Sequence, residues 1–387
     1  MAKELAFALI NPYMISKSRT GGVIGRFITR TGLELAGARM YGPSLELTQR
    51  YADLIRNDPQ IDAEVRNILA DYVLTAYAPD TKTGHRRRVM MLLFEGEDAV
   101  NKIDKAAGNV RYSMESAESV RATYGDYILD ENGGVRYVEP AVLIGPTKEA
   151  VAASLKLWAE YSEKDGGMIE GSMDLSQIPN AQKTLVLIKP DNFRFPSARP
   201  GNIIDLFSGS GLRIIGAKVH RMTVDEAEQF YGPVRNVLRE KLKSKVGDLA
   251  AKCLAKELAI NIPDEARNLL ADTLGPLYGD HQFYEIIKFM TGVWGPDCSP
   301  EEKKKRGKER CLALVYAGTN AVERIRSILG PTDPSKAQPG SVRREFGQDI
   351  MVNAAHASDS PENAARELKI VKVEQDLIAE LVNKYYA

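Results

Sequence analysis

The chain alternates between short apolar runs and longer amphipathic stretches. The apolar runs, rich in Leu, Ile, Val and Met, end in turns that contain Pro, Gly or Asn, as buried strands do. The stretches between them carry apolar residues every three to four positions, which predicts helices that pack one face on a core. Strands and helices mixed along the whole length favour an α/β fold.

Four of these blocks occur twice, in the same order. The matching pairs are 4–15 with 184–193, 21–40 with 200–219, 88–103 with 310–325, and 118–128 with 340–350. Each copy predicts strand, helix, strand, further helices, strand, helix, strand, which is a split βαβ pattern. We therefore expect an α/β chain (an α+β sandwich) of two ferredoxin-like βαββαβ domains in tandem. Chance similarity between short strands is the alternative.

The spacing within the repeat locates an insertion. Gly32 and its match Gly211 are 179 positions apart, whereas Arg121 and its match Arg343 are 222 apart. The difference of 43 residues places a helical insertion in the second domain at about 232–282, where the pattern predicts two amphipathic helices. Two roles stay open for this insertion: it covers a neighbouring surface, or it forms a lid over a ligand.

The same comparison gives the domain borders and two local features. Residues 1–162 form the first predicted domain and 183–387 the second, with a polar, glycine-containing linker at 163–182. Asn-Gly-Gly within 129–140 predicts a hairpin tip. The run GGVIG at 21–25 lacks the spacing of a dinucleotide-binding loop and is interpreted as a flexible turn.

Composition narrows the class of protein. The 387 residues are 44% hydrophobic, and 52 basic residues balance 52 acidic ones, so no nucleic-acid partner is expected. No apolar stretch approaches the roughly 20 residues of a membrane span, and the N-terminus does not resemble a signal peptide. Three cysteines without a CxxC pair favour a reducing, cytoplasmic location.

One histidine has an unusual neighbourhood. The chain has four histidines, and His356 lies among small residues in NAAHASDS, 353–360. Residues 350–352 predict the end of a strand, and Ser360 with Pro361 predicts a capped helix start. We therefore expect His356 in the strand-to-helix connection, where ligands bind. A lone loop histidine is more often a surface residue than a catalyst. No second His or Cys stands at metal-ligand spacing, so no protein-held metal is expected.

The wider pattern resembles one enzyme family. N-x-x-H-A-S-D-S-P is similar to the active-site signature of the nucleoside diphosphate kinases, TLVLIKPD (184–191) to their first strand, and 323–360 to their C-terminal half. The similarity covers roughly 183–231 and 283–370. It implies a phosphotransferase that moves the γ-phosphate of ATP to nucleoside diphosphates by a ping-pong mechanism through a phosphohistidine.

The resemblance implies roles for individual residues. His356 resembles the nucleophile, and Tyr231 and Glu367 the residues that orient it. The phosphate contacts are Lys189, Arg326, Thr332 and Arg343; Asn353 shares the ribose side with Lys189; and Phe283 with Ile350 encloses the base. The family's common arginine near 280–281 is absent, and HQFYEIIKFM is one residue shorter than usual, so Phe283 and one phosphate contact depend on the insertion.

These residue types suit phosphoryl transfer. Arg326 and Arg343 offer planar, bidentate donors to phosphate, and Lys189 adds a compact charge. A neutral imidazole is a nucleophile near pH 7, and Glu367 would fix its tautomer. The implied cofactor is Mg²⁺ held mainly by the nucleotide phosphates. The implied partners are ATP and other nucleoside di- and triphosphates, with no membrane.

The first domain lacks most of these groups. The repeat places Asn11 against Lys189, Asp104 against Arg326, Val110 against Thr332, and, counting back from the prolines, Ala141 against His356; Arg121 alone matches, opposite Arg343. We therefore expect a degenerate, non-catalytic domain that forms an internal pseudo-dimer with the second, in a chain that assembles as a homo-oligomer. The alternative function is a non-catalytic nucleotide-binding or scaffolding protein.

Overall fold

The strand-like blocks of the repeat form strands, whereas the predicted strand end at 350–352 does not. The computed structural model describes residues 3–111 and 118–386. Within these ranges the strands are β1 (Lys3–Ile10), β2 (Glu34–Tyr41), β3 (Val89–Glu97), β4 (Asp126–Leu129), β5 (Val135–Glu139), β6 (Val142–Ile144), β7 (Ala181–Ile188), β8 (Arg213–His220), β9 (Cys311–Thr319) and β10 (Ala355–Ala357). β4 and β5 form the predicted hairpin.

Helices alternate with these strands. They are α1 (Pro12–Ser16), α2 (Thr20–Thr31), α3 (Leu45–Arg56), α4 (Ala63–Ala76), α5 (Ala99–Ala107), α6 (Val120–Tyr124), α7 (Lys148–Glu160), α8 (Ser162–Asp165), α9 (Arg199–Ser208), α10 (Val224–Leu258), α11 (Asp264–Thr291), α12 (Pro300–Lys303), α13 (Ala321–Leu329), α14 (Val342–Phe346), α15 (Pro361–Val371) and α16 (Ile378–Tyr386). The chain divides into two compact units, Met1–Val219 with Leu312–Ala387, and His220–Cys311.

The first unit contains one long sheet, and the strand pairs described within it are antiparallel. Its strand order is β10-β7-β9-β8-β2-β3-β1-β6 among the described residues. The first half of the chain (β1 to β6) supplies the order β2-β3-β1-β6, and the second half (β7 to β10) supplies β8-β9-β7-β10, which is the same order again. Each half thus has the predicted ferredoxin-like arrangement, with helices covering the sheet.

The two halves join at the pair β2 and β8. Arg39 lies opposite Lys218 in antiparallel register, and these two residues are counterparts at the 179-residue spacing of the repeat. An antiparallel pair in which a residue faces its own counterpart is the geometry of a twofold interface. The halves therefore meet as a pseudo-dimer within one chain, as expected.

Both cations at this junction are buried and held by main-chain oxygens. Arg39 is 3% exposed and donates to the carbonyl of Ser162 at 2.8 Å. Lys218, also 3% exposed, donates to the carbonyls of Val371 and Lys372 at 2.9 Å, where α15 ends. The partial negative charge at the end of a helix stabilises such a cation. The two like charges of Arg39 and Lys218 are therefore buried in the junction and compensated by main-chain oxygens.

The predicted turn GGVIG is wrong: it lies inside α2. A Cβ on Gly21 would stand 2.3 Å from the carbonyl oxygen of Gly201, and one on Gly201 would stand 2.2 Å from that of Gly21. These glycines are therefore required by the close crossing of α2 with α9, not by a flexible loop. Their absent side chains let two helix backbones touch.

The segment predicted as a solvated linker connects the halves but is packed. Asp165 is 1% exposed, and its carboxylate accepts from the hydroxyl of Ser44 at 2.6 Å and lies 3.2 Å from Arg86. A Cβ on Gly166 would stand 2.5 Å from the Nε atom of Arg39. The glycines of this segment, which we interpreted as a sign of a linker, thus allow the chain to approach β2 closely.

The second unit is built on the two predicted helices, which are longer than expected. α10 starts at a capping box between Thr223 and Glu226. A Cβ on Gly247 would stand 2.6 Å from the Cβ of Ala271, and one on Gly279 2.6 Å from the Cα of Arg239. Glycine along this contact lets α10 and α11 pack closely. The lid role of this insertion stays a prediction.

Candidate active site around His356

His356 lies in the middle of strand β10, opposite Leu187 of β7. The expectation that the strand ends at 350–352 and that His356 follows it is wrong. The carboxylate of Asp349 accepts from the main-chain N–H of Met351 and of Val352, both at 2.7 Å, and this turns the chain before the strand begins. A strand residue has a fixed direction, so β10 aims the imidazole more firmly than a loop would.

The helix that follows begins as predicted and brings a carboxylate back to the histidine. Ser360 caps α15 by accepting from the N–H of Asn363 at 3.1 Å, with a proline in its first turn. Two turns later Glu367, 3% exposed, lies 2.9 Å from Nε2 of His356 through its Oε2 atom. The same oxygen accepts from the hydroxyl of Ser358 at 2.7 Å.

This contact decides which ring nitrogen is available. A buried carboxylate accepts from an N–H, so we assign the proton to Nε2 of His356. Nδ1 then carries the lone pair. The side chain of His356 is 22% exposed and that of Glu367 4%, so the ring reaches solvent while its anchor does not. The site therefore presents an imidazole that is oriented through Nε2 by a buried carboxylate.

Lys189 and Asn353 form the second part of the site. The ammonium of Lys189 donates to the side-chain oxygen of Asn353 at 2.6 Å and to the carbonyl of Met351 at 3.0 Å. Asn353 in turn donates to the carbonyls of Ile350 at 2.7 Å and Thr332 at 3.2 Å. Burial, with repulsion from Arg343, lowers the pKa of Lys189 to about 8. An incoming anion would stabilise its charged form.

Arg343 is tied to the backbone on both sides of the nucleophile strand. It donates to the carbonyl of Gly330 at 3.0 Å and to that of Ala355, next to the histidine, at 3.2 Å. Arg121 in the first half makes the same two bonds, to Gly108 at 2.6 Å and to a β6 carbonyl at 3.2 Å. The shared contacts show that this arginine holds strand and turn together even where no histidine is present.

Three other predicted residues are open to solvent. Arg326 on α13 and Thr332 in the following turn are exposed, and Ile350 is 64% exposed. In the described chain no hydrogen-bond or ion-pair partner of the Arg326 guanidinium occurs, so its donors face outward. The carbonyl of Thr332 is linked to Asn353, which connects this turn to Lys189.

Tyr231 and Phe283 belong to the second unit. Tyr231 on α10 is 8% exposed, and its ring lies 5.0 Å from that of Phe230. Phe283 on α11 is 1% exposed, with the Arg235 guanidinium 5.3 Å from its ring centroid. Its face is covered by a cation in this conformation, so base stacking requires Arg235 to move. The roles of both residues stay predictions.

The position at which the family's common arginine is absent carries an aspartate that is ion-paired to two arginines. Asp280 accepts from Arg235 at 2.8 Å and from Arg239 at 2.6 Å. The two guanidinium groups hold the pKa of the Asp280 carboxyl well below its usual range. The insertion thus supplies two arginines beside Asp280, and both belong to the basic stretch at its start.

Ser358, which directly follows β10, contributes to the site and was not predicted from the sequence. It is fully buried and donates to Glu367. Its signal was present in NAAHASDS, as a hydroxyl two positions after the histidine, where a strand directs alternate side chains to one face. It helps to fix the carboxylate that fixes the imidazole.

The first half has no histidine at the equivalent position, but the predicted equivalence to Ala141 is wrong. Val142 pairs with Ile10 as Ala355 pairs with Ile188, which aligns His356 with Leu143. Ala141 and Ala354 share a positive φ, 60° and 69°. Counting from prolines failed because Pro146 precedes the capping Thr147, whereas Pro361 follows its cap.

Comparison with known proteins covers the second half. The sequence profile described as nucleoside diphosphate kinase matches residues 182–243 and 302–377. The chain is 29% identical over 199 residues to the nucleoside diphosphate kinase of Staphylothermus marinus. The aligned region covers 51% of this chain and 98% of the relative. It is 30% identical over 189 residues to the nucleoside diphosphate kinase of Bdellovibrio bacteriovorus, and this alignment covers 49% of this chain and 91% of the relative. The chain belongs to the nucleoside diphosphate kinase family.

Nine of the ten predicted site residues lie in the segments that match the nucleoside diphosphate kinase profile. They are the eight residues on the first unit and Tyr231 on the second. Phe283 falls between the two matched segments, at the insertion. The solved nucleoside diphosphate kinase of Aquifex aeolicus aligns with 49% of this chain and 94% of that chain, at 26% identity and a TM-score of 0.31. The sequence matches to the profile and to the two relatives confirm the family resemblance drawn from NAAHASDS.

Two further observations concern metal and membrane. Within 3–111 and 118–386, no group of three or more His, Cys, Asp or Glu side chains is arranged to hold a metal ion. Over the same residues, the helices lack the combination of length and apolar character that a membrane crossing demands.

Proposed function

We propose that the second half is a nucleoside diphosphate kinase that carries phosphate on Nδ1 of His356. The observation that supports this most directly is the 2.9 Å contact between Nε2 of His356 and Glu367. It fixes the orientation of an imidazole whose side chain stays 22% exposed. A nucleophile oriented by a carboxylate that is itself fixed by Ser358 follows the general logic of activated nucleophiles.

The reaction has two half-reactions. In the first, Nδ1 attacks the γ-phosphorus of ATP, the bond to the β–γ bridging oxygen breaks, and ADP leaves with the electron pair. In the second, a β-phosphate oxygen of another nucleoside diphosphate attacks the same phosphorus, and the N–P bond breaks back to His356. The protein's part is positioning and charge stabilisation, since the transferred group passes through a loose transition state.

The cationic residues have separate parts in this proposal. Lys189 meets the phosphates from the inside, because it is 8% exposed and held by Asn353. Arg326 meets them from the solvent side with all its donors unused. Arg343 adds its charge next to the nucleophile strand. Mg²⁺ enters as part of the nucleotide substrate, which fits a site without a carboxylate cluster.

The first half and the setting of the reaction complete the proposal. We expect the first half to be non-catalytic, since Leu143 replaces the histidine and Asn11 the lysine. We expect whole chains to associate as a homo-oligomer. The three cysteines form no disulfide among the described residues, and this favours a reducing cytoplasm.

The test is incubation of the full chain with γ-labelled ATP. The proposal expects label on the protein that is labile in acid and stable in base, that maps to His356, and that a nucleoside diphosphate removes. Nucleotide binding with no transferable label would contradict it and favour the non-catalytic binding or scaffolding protein.

A further inference from the structure

A large cavity lies in the first unit, away from the histidine site. Its volume is about 1260 Å³, and residues of both halves line it, including Arg88 at the start of β3, Arg213 at the start of β8, and Tyr316 of β9. His356 and the other predicted site residues do not line it. A cavity of this size accommodates a small organic molecule.

Four of the cations that line this cavity lack acidic partners among the described residues, whereas Arg86 and Arg87 are paired with Asp165 and Asp80. Arg88, Arg213, Arg136 and Lys17 line it, and no carboxylate of the described residues stands within ion-pair distance of any of them. Arg88 donates to the carbonyl of Ile214 at 2.7 Å and Arg213 to that of Ser172 at 3.1 Å. Burial and the charge of Arg213 lower the pKa of Arg88 to about 10. Two like charges are therefore held together without compensation.

The acids that line the cavity are already engaged. Asp80 pairs with Arg87 at 2.8 Å, and Asp71 pairs with Arg56, also at 2.8 Å. Glu139 accepts from Tyr72 and Asn11, and burial raises the pKa of its carboxyl. The charge that remains uncompensated in the cavity is therefore positive.

Three buried hydroxyls belong to residues that line the same cavity. The hydroxyls of Thr20, Ser172 and Tyr316 are buried, line the cavity, and have no hydrogen-bond partner among the described residues. Buried hydroxyls are normally satisfied, because leaving one unpaired costs roughly 1–3 kcal/mol. Three such groups around one cationic cavity indicate a ligand that accepts hydrogen bonds.

We propose that this cavity binds an organic phosphate, with the phosphate on Arg88 and Arg213. Guanidinium groups bind phosphate through paired, charge-assisted hydrogen bonds, and the unpaired hydroxyls supply further donors. Apolar and aromatic lining from Tyr13, Ile68 and Tyr137 suits the organic part. The proposal concerns binding alone. This proposal is independent of the proposed kinase activity.

The first measurement is arginine labelling with phenylglyoxal, resolved by peptide mass spectrometry, with inorganic pyrophosphate as the probe. Pyrophosphate at about ten times its Kd or more is expected to slow the labelling of Arg88 and Arg213 about tenfold or more, because only the unbound fraction reacts. Arg267 on α11 serves as the internal control and should label at an unchanged rate. Arg326 reports separately on the histidine site, so failure of one proposal does not imply failure of the other.

The second measurement is calorimetric binding of pyrophosphate to full-length variants. Arg88→Gln with Arg213→Gln should abolish one class of binding site, while phosphohistidine formation persists as proof of folding. The matched control, Lys252→Gln with Lys256→Gln, removes the same charge from an exposed face of α10 and should keep that class of site. Unprotected Arg88 and Arg213, or equal pyrophosphate binding by both double variants, would overturn the proposal.

Discussion

Glu367 holds His356 through Nε2 at a distance of 2.9 Å. The histidine lies on β10 and the glutamate on α15, the helix that follows. The carboxylate oxygen is shared with Ser358, so the imidazole cannot rotate without breaking a buried hydrogen bond. The imidazole is thus oriented before any substrate arrives. Pre-organisation of this kind lowers the cost of reaching the reactive geometry.

Replacing His356 with alanine should abolish phosphotransfer, because the covalent carrier is lost. The expected loss in kcat is at least about a thousandfold, measured by coupled turnover and by labelling with γ-labelled ATP. His85→Ala is the matched histidine control and should keep full labelling. Retained turnover in the His356→Ala protein above about one per cent would remove His356 from the mechanism.

Replacing Glu367 with glutamine keeps an acceptor for Nε2 but removes the charge that stabilises the imidazole as it gains positive character. We expect kcat to fall about ten- to a hundredfold, as for other partners behind a reacting group, with KM for ATP changed by less than about twofold. Steady-state kinetics and the pH–rate profile give the answer. A protein that melts earlier but keeps its kcat would make Glu367 a structural residue alone.

Lys189 should couple nucleotide binding to proton uptake. Its pKa in the free protein is about 8, below the ordinary 10.5, so near pH 8 part of the population is uncharged. Bound phosphate favours the ammonium form, and about half a proton should be taken up per site at pH 8. Calorimetry in buffers of different ionisation enthalpy measures this uptake.

The sign for stability follows from the same values. Between pH 8 and 10.5 the unfolded chain binds the Lys189 proton and the folded chain does not, so this group's contribution to the unfolding free energy rises with pH. Lys189→Met should lose the proton uptake. Equal uptake in that variant would assign the proton to another group.

Arg121 and Arg343 form a natural pair for separating structure from binding. Alanine at either position leaves two buried carbonyls without their donor, and we expect a loss of about 2–3 kcal/mol of unfolding free energy in both. Only Arg343→Ala should also raise KM for nucleotides, because only that arginine stands beside a histidine. Denaturant unfolding and steady-state kinetics together test this. A KM increase in Arg121→Ala would mean that the first half contributes to the site.

The repeat in the sequence predicted much of the fold for a physical reason. Strands β1 and β7 are apolar runs that end in turns, and such local patterns survive divergence because each half must bury the same sheet face. Arg121 and Arg343 were matched correctly because the backbone bonds that they make are shared by both halves.

Other features depend on contacts that no local pattern records. The alignment of His356 with Leu143 required strand register, since the loop before each helix places its proline differently around the cap. The glycines of GGVIG read as a turn, but a distant helix backbone at Gly201 decides their role. The meeting of Arg88 and Arg213 depends on sheet pairing between residues far apart in the chain.

The pairing of Arg39 with Lys218 has a consequence for how this protein responds to dilution. Subunits that meet through such a strand pair separate when their concentration falls below the dissociation constant. Here the two strands are covalently tethered, and a tether of this kind holds its ends at an effective concentration in the millimolar range. The strand pair therefore persists at any cellular abundance. Each side is also encoded separately, so one strand can change without imposing the same change on the other.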